Sequence, residues 1–262
     1  MGDASICINC GRPVADPQQK FCPACGQPTP VHRIDWHFLG HELEHSVLHM
    51  DRGILYSLKE LMLRPGHLIR SYLEGRRANQ AKPLLLIMVM AALVVFLSKH
   101  LLGENIMDGI AASMPSVEGE VSKGFAAALK ASEHVAGWMN QYFALFTLLL
   151  LPLEAAAFRL SFHRVGNFNY PEWLVITALL TVQSFVFWVV LLLLPSAWAL
   201  QPSLWATVIS VLFGIFSLVQ LIQEYPRWKT ALRAVLGYGI FMAVSGVVTQ
   251  ILILAVALLV YS

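Results

Sequence analysis

The four cysteines of this chain, Cys7, Cys10, Cys22 and Cys25, stand as C-x2-C, a gap of eleven residues, and C-x2-C again. Each pair opens a near-repeat, C-I-N-C-G-R-P at 7–13 and C-P-A-C-G-Q-P at 22–28. Two thiolates on one tight turn, twice over, supply the four soft ligands that a tetrahedral zinc takes. Gly11 and Gly26 follow the second cysteine of each pair, where a positive φ lets backbone N–H groups approach the sulfurs. About 25 residues bury too little apolar surface to fold alone, so the metal supplies most of the folding energy. The alternative is two disulfides. It needs an oxidising compartment, and residues 1–30 lack the apolar stretch of a secretory signal. The spacing therefore predicts one structural Zn2+ on four cysteines, with no open position for catalysis and the thiolates on the reducing side of a membrane.

Histidine is the second ligand type. His37, His41, His45 and His49 recur every four residues, which on a helix makes one slowly drifting stripe. Within it, H-E-L-E-H at 41–45 matches H-E-x-x-H, where His41 and His45 would hold zinc and Glu42 would activate its water. The match is discounted. Three fixed positions arise easily in a segment rich in His and Glu, Glu44 puts a charge beside the metal face, and no third ligand is marked downstream. The bland reading is a solvated face of a juxtamembrane helix. A second metal or proton-sensing site on the four histidines is the next reading, and a membrane metalloprotease is third. The chain is not expected to be an enzyme.

A single carboxylate lies inside an apolar run. Glu154 follows Pro152 in L-L-L-L-P-L-E-A-A-A-F-R. A charge at the bilayer centre costs about 2.5–3.5 kcal/mol on insertion scales. Glu154 is either an ion or proton site at a broken helix, or a residue near the inner end of its span that Arg159 pairs with loosely. Gln183, Gln220 and Gln250 fall one to a span in the last three spans, where interhelical hydrogen bonds between them are the economical explanation. Gly237, Gly239 and Gly246 suggest close helix packing.

The elements that must position these residues follow from composition. Of 262 residues, 57% are hydrophobic and 13% charged, against about 25% charged in soluble domains. Residues 83–262 hold only eight Lys/Arg and eight Asp/Glu. Disorder, collagen and a disulfide-stapled toxin are excluded. A crossing needs about 20 apolar residues. Five stretches qualify: 83–102, 139–158, 173–194, 203–223 and 235–261. The fold class is thus an all-α multi-pass membrane protein with a small N-terminal C4 zinc ribbon. Its parts are a ribbon at 1–30, a basic and His-rich juxtamembrane segment at 31–82, and a transmembrane domain at 83–262. A 103–138 loop on the outer face carries an amphipathic helix over 121–139. Arg64, Arg70, Arg76, Arg77 and Lys82 precede the first span, and the 159–171 and 224–234 loops are also basic. Those three regions share a side if the spans alternate, which places the N-terminus in the cytoplasm and the C-terminus outside.

Over 51–83, Leu55, Leu58, Leu61 and Met62 fall at helical spacing, as do Leu68, Ile69, Tyr72 and Leu73 after the Pro65-Gly66 break. Residues 52–82 hold seven Lys/Arg and two Glu. Two amphipathic helices on the membrane surface are expected, their five basic residues toward anionic headgroups. Together with the ribbon, D-x-G at 51–53, L-R-P-G at 63–66, Y-L-x-G-R-R at 72–77 and Pro83 resemble an uncharacterised bacterial membrane-protein family that joins an N-terminal zinc ribbon to several transmembrane helices. The likeness covers residues 7–90; Asn79 and Gln80 depart from it, where the family has a basic–aromatic pair. It implies topology, a metal site and the bacterial inner membrane, with the C-terminus periplasmic. It implies no activity, substrate or catalytic residue.

No phosphate loop, nucleophile elbow or dinucleotide fingerprint is present. The ribbon has two basic and two acidic residues, so nucleic acid is not an expected partner. The reading that remains is a membrane scaffold or regulator presenting its ribbon to a cytosolic or membrane protein partner, with homo-oligomers allowed. A transporter or channel using Glu154 and the span glutamines is the alternative.

Overall fold

The computed structural model describes residues 5–14, 19–40, 53–102, 123–194 and 202–260. His41, Glu42, His45, His49, residues 103–122 of the outer loop and the 195–201 turn lie outside them. Strands β1 (Ser5–Ile6) and β2 (Pro13–Val14) pair antiparallel in the ribbon. Eight helices follow among the described residues: α1 (Ile54–Leu63), α2 (Pro65–Leu73), α3 (Pro83–Leu97), α4 (Lys123–Gln141), α5 (Phe143–Ser161), α6 (Tyr170–Leu193), α7 (Pro202–Leu221) and α8 (Arg227–Val260). A π-helical turn, Ser98–Leu102, closes α3.

Five helices are long and apolar enough to cross a membrane: Pro83–Leu101, Phe143–Ser161, Tyr170–Leu193, Leu204–Leu221 and Arg227–Val260. Proline starts α2 and α3, where its missing N–H is lost anyway. A capping box starts α6: the Asn169 side chain accepts from the Glu172 N–H, and Glu172 accepts from the Asn169 N–H. α6 is the hub. It packs on α3, α5 and α7, and half of its apolar window is buried, against 6% for α8. Trp173, Phe158 and Phe162 are nearly inaccessible and stack beside Tyr238. A Cβ on Gly237 would meet the Phe158 ring at 2.7 Å, so Gly237 does serve close packing. Gly239 and Gly246 have nothing within 4 Å, which corrects the packing role expected for them.

Span ends move relative to hydropathy. α5 starts at Phe143, not 139, and runs on to Ser161. α8 starts at Arg227 rather than 235, so Arg227, Lys229 and Arg233 ride its first turns instead of a loop. Hydropathy stops where charge begins, whereas the helix continues until its hydrogen bonds stop, here with the Thr230 N–H on the Pro226 carbonyl. Its 34 residues reach about 51 Å at 1.5 Å per residue, beyond a hydrocarbon core of about 30 Å. α4 packs along α8, and its Ala131 and Val135 are buried. Exposed tryptophans mark both ends of the bundle, Trp36 and Trp228 at the ribbon end and Trp138 and Trp205 at the other, as interfacial aromatics do.

α1 and α2 form as two helices broken at Pro65, but they turn their apolar stripes inward. Leu61, Leu68, Ile69 and Tyr72 lie in the main core, while Leu55, Tyr56 and Leu63 stay exposed. Gly66 is the contact point: its N–H donates to Gln220 Oε1 at 3.2 Å, and a Cβ there would come within 2.6 Å of the Leu221 nitrogen. Arg70 donates to the Leu221 carbonyl, capping the C-terminus of α7, where a cation also meets the negative end of the helix dipole.

Candidate metal centre and the polar sites it is tied to

Each knuckle is the same loop twice. The Gly11 N–H reaches the Cys7 carbonyl at 2.9 Å and the Cys7 N–H the Arg12 carbonyl at 2.9 Å; Gly26 with Cys22, and Cys22 with Gln27, repeat this at 2.8 Å. Gly11 and Gly26 both have φ of +72°, with open space where a Cβ would stand. Conformation, not crowding, therefore requires glycine at both positions.

The loops bring the four sulfurs to within 4.8 Å of one another. Cys7 Sγ lies 3.7 Å from Cys25 Sγ, and Cys10 Sγ 3.7 Å from Cys22 Sγ. A disulfide needs about 2.05 Å, and all four cysteines are free, so the disulfide alternative fails. A tetrahedron with metal–sulfur bonds of about 2.3 Å has edges of about 3.8 Å, which these separations fit. Burial raises the Cys25 thiol, but the Gln27 N–H, Asn9 and the Cys10 and Cys7 sulfurs outweigh it and draw it down to about 7. At Cys10 the Arg12 backbone contact lowers the thiol, while burial and the Cys25, Cys22 and Cys7 sulfurs together push it up to about 11. Crowded sulfurs cannot all ionise on their own charge, and a divalent cation at their centre removes that conflict.

The ribbon is not a free knob. The Gln27 side chain, 2% exposed, donates to the Gly75 carbonyl at 2.8 Å and accepts from the Arg77 and Ala78 N–H groups at 3.0 Å each. Gly75 has φ of +95° and packs against Val31 so closely that no side chain fits. Arg33 grips Glu172 at 2.6 and 2.7 Å and the Asn167 carbonyl at 2.7 Å, and Asn169 donates to the Ile34 carbonyl at 2.8 Å. Of these residues, Arg33, Ile34, Asn167, Asn169 and Glu172 belong to no motif of the sequence. A signal existed for Gln27: in the two near-repeats it replaces Arg12, which is exposed. Replacing Gln27 with alanine leaves one carbonyl and two N–H groups without partners. It is expected to lower stability by about 2–3 kcal/mol in total while metal content stays at wild type, read from thermal unfolding in detergent beside metal analysis.

The five basic residues expected on headgroups divide. Arg64 and Arg76 are exposed, Arg76 pairing with Glu74 at 2.8 Å, and Lys82 is half-buried. Arg70 and Arg77 are spent inside the chain, Arg70 on α7 and Arg77 over the rings of Phe38 and Tyr72 at 4.2 and 5.2 Å. Arg33 on the 167–172 segment and Arg70 on 221–223 bring the three basic regions to one end of the bundle, as the alternation of spans requires. His37 is exposed on a short helical stretch at 36–40.

Of the glutamines, Gln183 is 1% exposed and donates to Ser217 Oγ at 3.0 Å and to the Leu61 carbonyl at 3.2 Å; Gln220 takes the Gly66 N–H; Gln250 is exposed on α8. Bonds among the three are therefore corrected: two of them tie α1 and α2 to the spans. Glu154 is 8% exposed and accepts from the Thr181 hydroxyl at 3.2 Å. Arg159 lies over the Tyr170 ring at 5.8 Å, and the Tyr170 hydroxyl donates to the Pro152 carbonyl at 2.8 Å.

No curated protein and no solved structure matches the chain. Residues 51–95, which hold α1, α2, the Gly75–Ala78 turn and most of the first span, match the model of a family described as a protein of unknown function, DUF3667; over this segment, the chain is similar to that family.

Proposed function

We propose that the protein is a scaffold or regulator of the bacterial inner membrane, its metal a zinc ion, its ribbon in the cytoplasm and its C-terminus in the periplasm. The observation that carries this reading is the ribbon's two-sidedness. One side is fixed to the bundle through Gln27, while Ile6, Ile8 and Phe21 stand 72%, 46% and 58% exposed. A metal-stiffened loop that presents apolar side chains in a fixed pose, with little net charge, suits docking to a protein rather than to nucleic acid. Basic residues collected at the ribbon end support the cytoplasmic placement. The exposed Leu55, Tyr56 and Leu63 of α1, beside Arg64, suit contact with the lipid surface and its anionic headgroups. His41, Glu42, His45 and His49, on which the second-site and protease readings rest, lie outside the described residues.

The test is a photoreactive phenylalanine analogue in place of Phe21 in the intact membrane protein. A discrete protein adduct is expected from the cytoplasmic side, and Ile8→Asp should remove it with zinc content unchanged. Labelling of lipid alone, or labelling from the periplasmic side, overturns the reading. A second reading, a transporter or channel on Glu154, is favoured by one observation: this carboxylate lines a pocket among the spans. Its test is flux in vesicles with and without Glu154→Gln.

A further inference from the structure

A cavity of about 270 Å³ lies among α5, α6, α7 and α8. Glu154 lines it from α5, Thr181 from α6, Ser210 from α7 and Tyr238 from α8. Glu154 is 8% exposed, and the Thr181 hydroxyl is its hydrogen-bond donor among the described residues. Ser210 is 6% exposed, and its shielded hydroxyl has no hydrogen-bond partner among the described residues. The wall therefore holds a carboxylate with spare acceptor capacity. Packing does not explain it, because a buried carboxylate with one donor is left under-satisfied and is ordinarily removed or satisfied.

Charge and shape narrow the occupant. Among the described residues, no Lys, Arg or His lines the cavity. Arg159, five residues beyond Glu154 on the same helix, is held over the Tyr170 ring. A carboxylate in an apolar span calls for a positive partner. An inorganic cation would want about six oxygens converging on a small space; Thr147, Ser184 and Thr207 also line this cavity, but most of its open wall is apolar, Phe146 and Trp188 among it. Aromatic faces and a carboxylate together recognise an organic ammonium, whose charge meets the carboxylate and whose body meets the rings.

We propose that this cavity binds a protonated organic amine with an apolar body, the ammonium bonded to Glu154 and the body against Phe146 and Trp188. This deepens the second reading above but needs only binding, not passage, and it does not involve the ribbon. The test uses the full-length protein in detergent, titrated calorimetrically with 2-phenylethylamine and with its neutral counterpart 2-phenylethanol. One amine per chain is expected, bound at least tenfold more tightly than the alcohol. Glu154→Gln should weaken the amine at least tenfold and leave the alcohol unchanged. Amine and alcohol binding alike overturns the proposal without recourse to any variant. So does the absence of saturable binding, or displacement of the amine by sodium chloride but not by choline chloride, which would mark an inorganic-cation site. Binding intact with no flux in vesicles would remove the transport reading and leave this one standing.

Discussion

Replacing Cys22 with serine is expected to cut the metal bound per chain to less than a tenth of the wild-type value. Cys22 Sγ lies 3.7 Å from Cys10 Sγ and closes the tetrahedron from the second knuckle. A serine hydroxyl is not ionised at neutral pH and is a hard ligand, so three thiolates remain for an ion that wants four. Structural zinc in such small units contributes about 10–16 kcal/mol of folding free energy, which a ribbon whose buried cluster is Val14 beside the ligands Cys7 and Cys22 cannot replace. The effect should travel. The Cys22 N–H and the Gln27 carbonyl share the knuckle's hydrogen bond, and the Gln27 side chain holds the Arg77 and Ala78 N–H groups. Hydrogen exchange at Ala78 should therefore quicken at least tenfold, although Ala78 is 56 residues from the substitution. Unchanged exchange there would show that the ribbon does not order the turn.

Gly66→Ala should be the most damaging single methyl group in the chain. The added Cβ would overlap Gln220 Cβ and come within 2.6 Å of the Leu221 nitrogen, a backbone atom at the end of α7 that cannot rotate away. Either α2 lifts from α7 or α7 shifts, and both disturb the Gly66–Gln220 and Arg70–Leu221 bonds. Overpacking of this kind costs about 1–3 kcal/mol, and the thermal midpoint should fall by about 2–4 °C for each kcal/mol at this chain size. Gly239→Ala supplies the control. Nothing lies within 4 Å of that site, and alanine is the better helix former, so its midpoint should hold or rise.

The contrast between those two glycines shows where reading a sequence stops. Gly239 and Gly66 look alike in the chain, and only the approach of another backbone distinguishes them. The five spans and the ribbon's ligands were legible because each depends on local quantities, the transfer energy of about twenty side chains and the spacing of thiols on a turn. The first helical residue of α8 was not, because hydropathy tracks transfer and the helix tracks hydrogen bonds. Arg70 and Arg77 were misplaced for a different reason. A guanidinium at an interface is served equally by a phosphate, a helix-end carbonyl or an aromatic face, and nothing local decides among them. The inward turn of α1 and α2 is the same ambiguity for apolar side chains, since the ends of the bundle are as apolar as lipid. At Glu154 the cost of burial was visible, but the hydroxyls on three other helices that share its cavity were not.

The clasp between Arg33 and Glu172 joins residues 139 apart, and it sets an order of events during synthesis. The amino-terminal head leaves the ribosome first and then waits while the intervening chain is made, roughly 7–28 s at 5–20 residues per second. Throughout that interval neither the Glu172 carboxylate nor the helix cap beside it exists. During that interval Gln27 can already hold the head to the 75–78 turn, and the arrival of the third hydrophobic helix adds the second hold. A cell short of metal would therefore build the lipid-embedded half normally and leave the clasp nothing folded to seize.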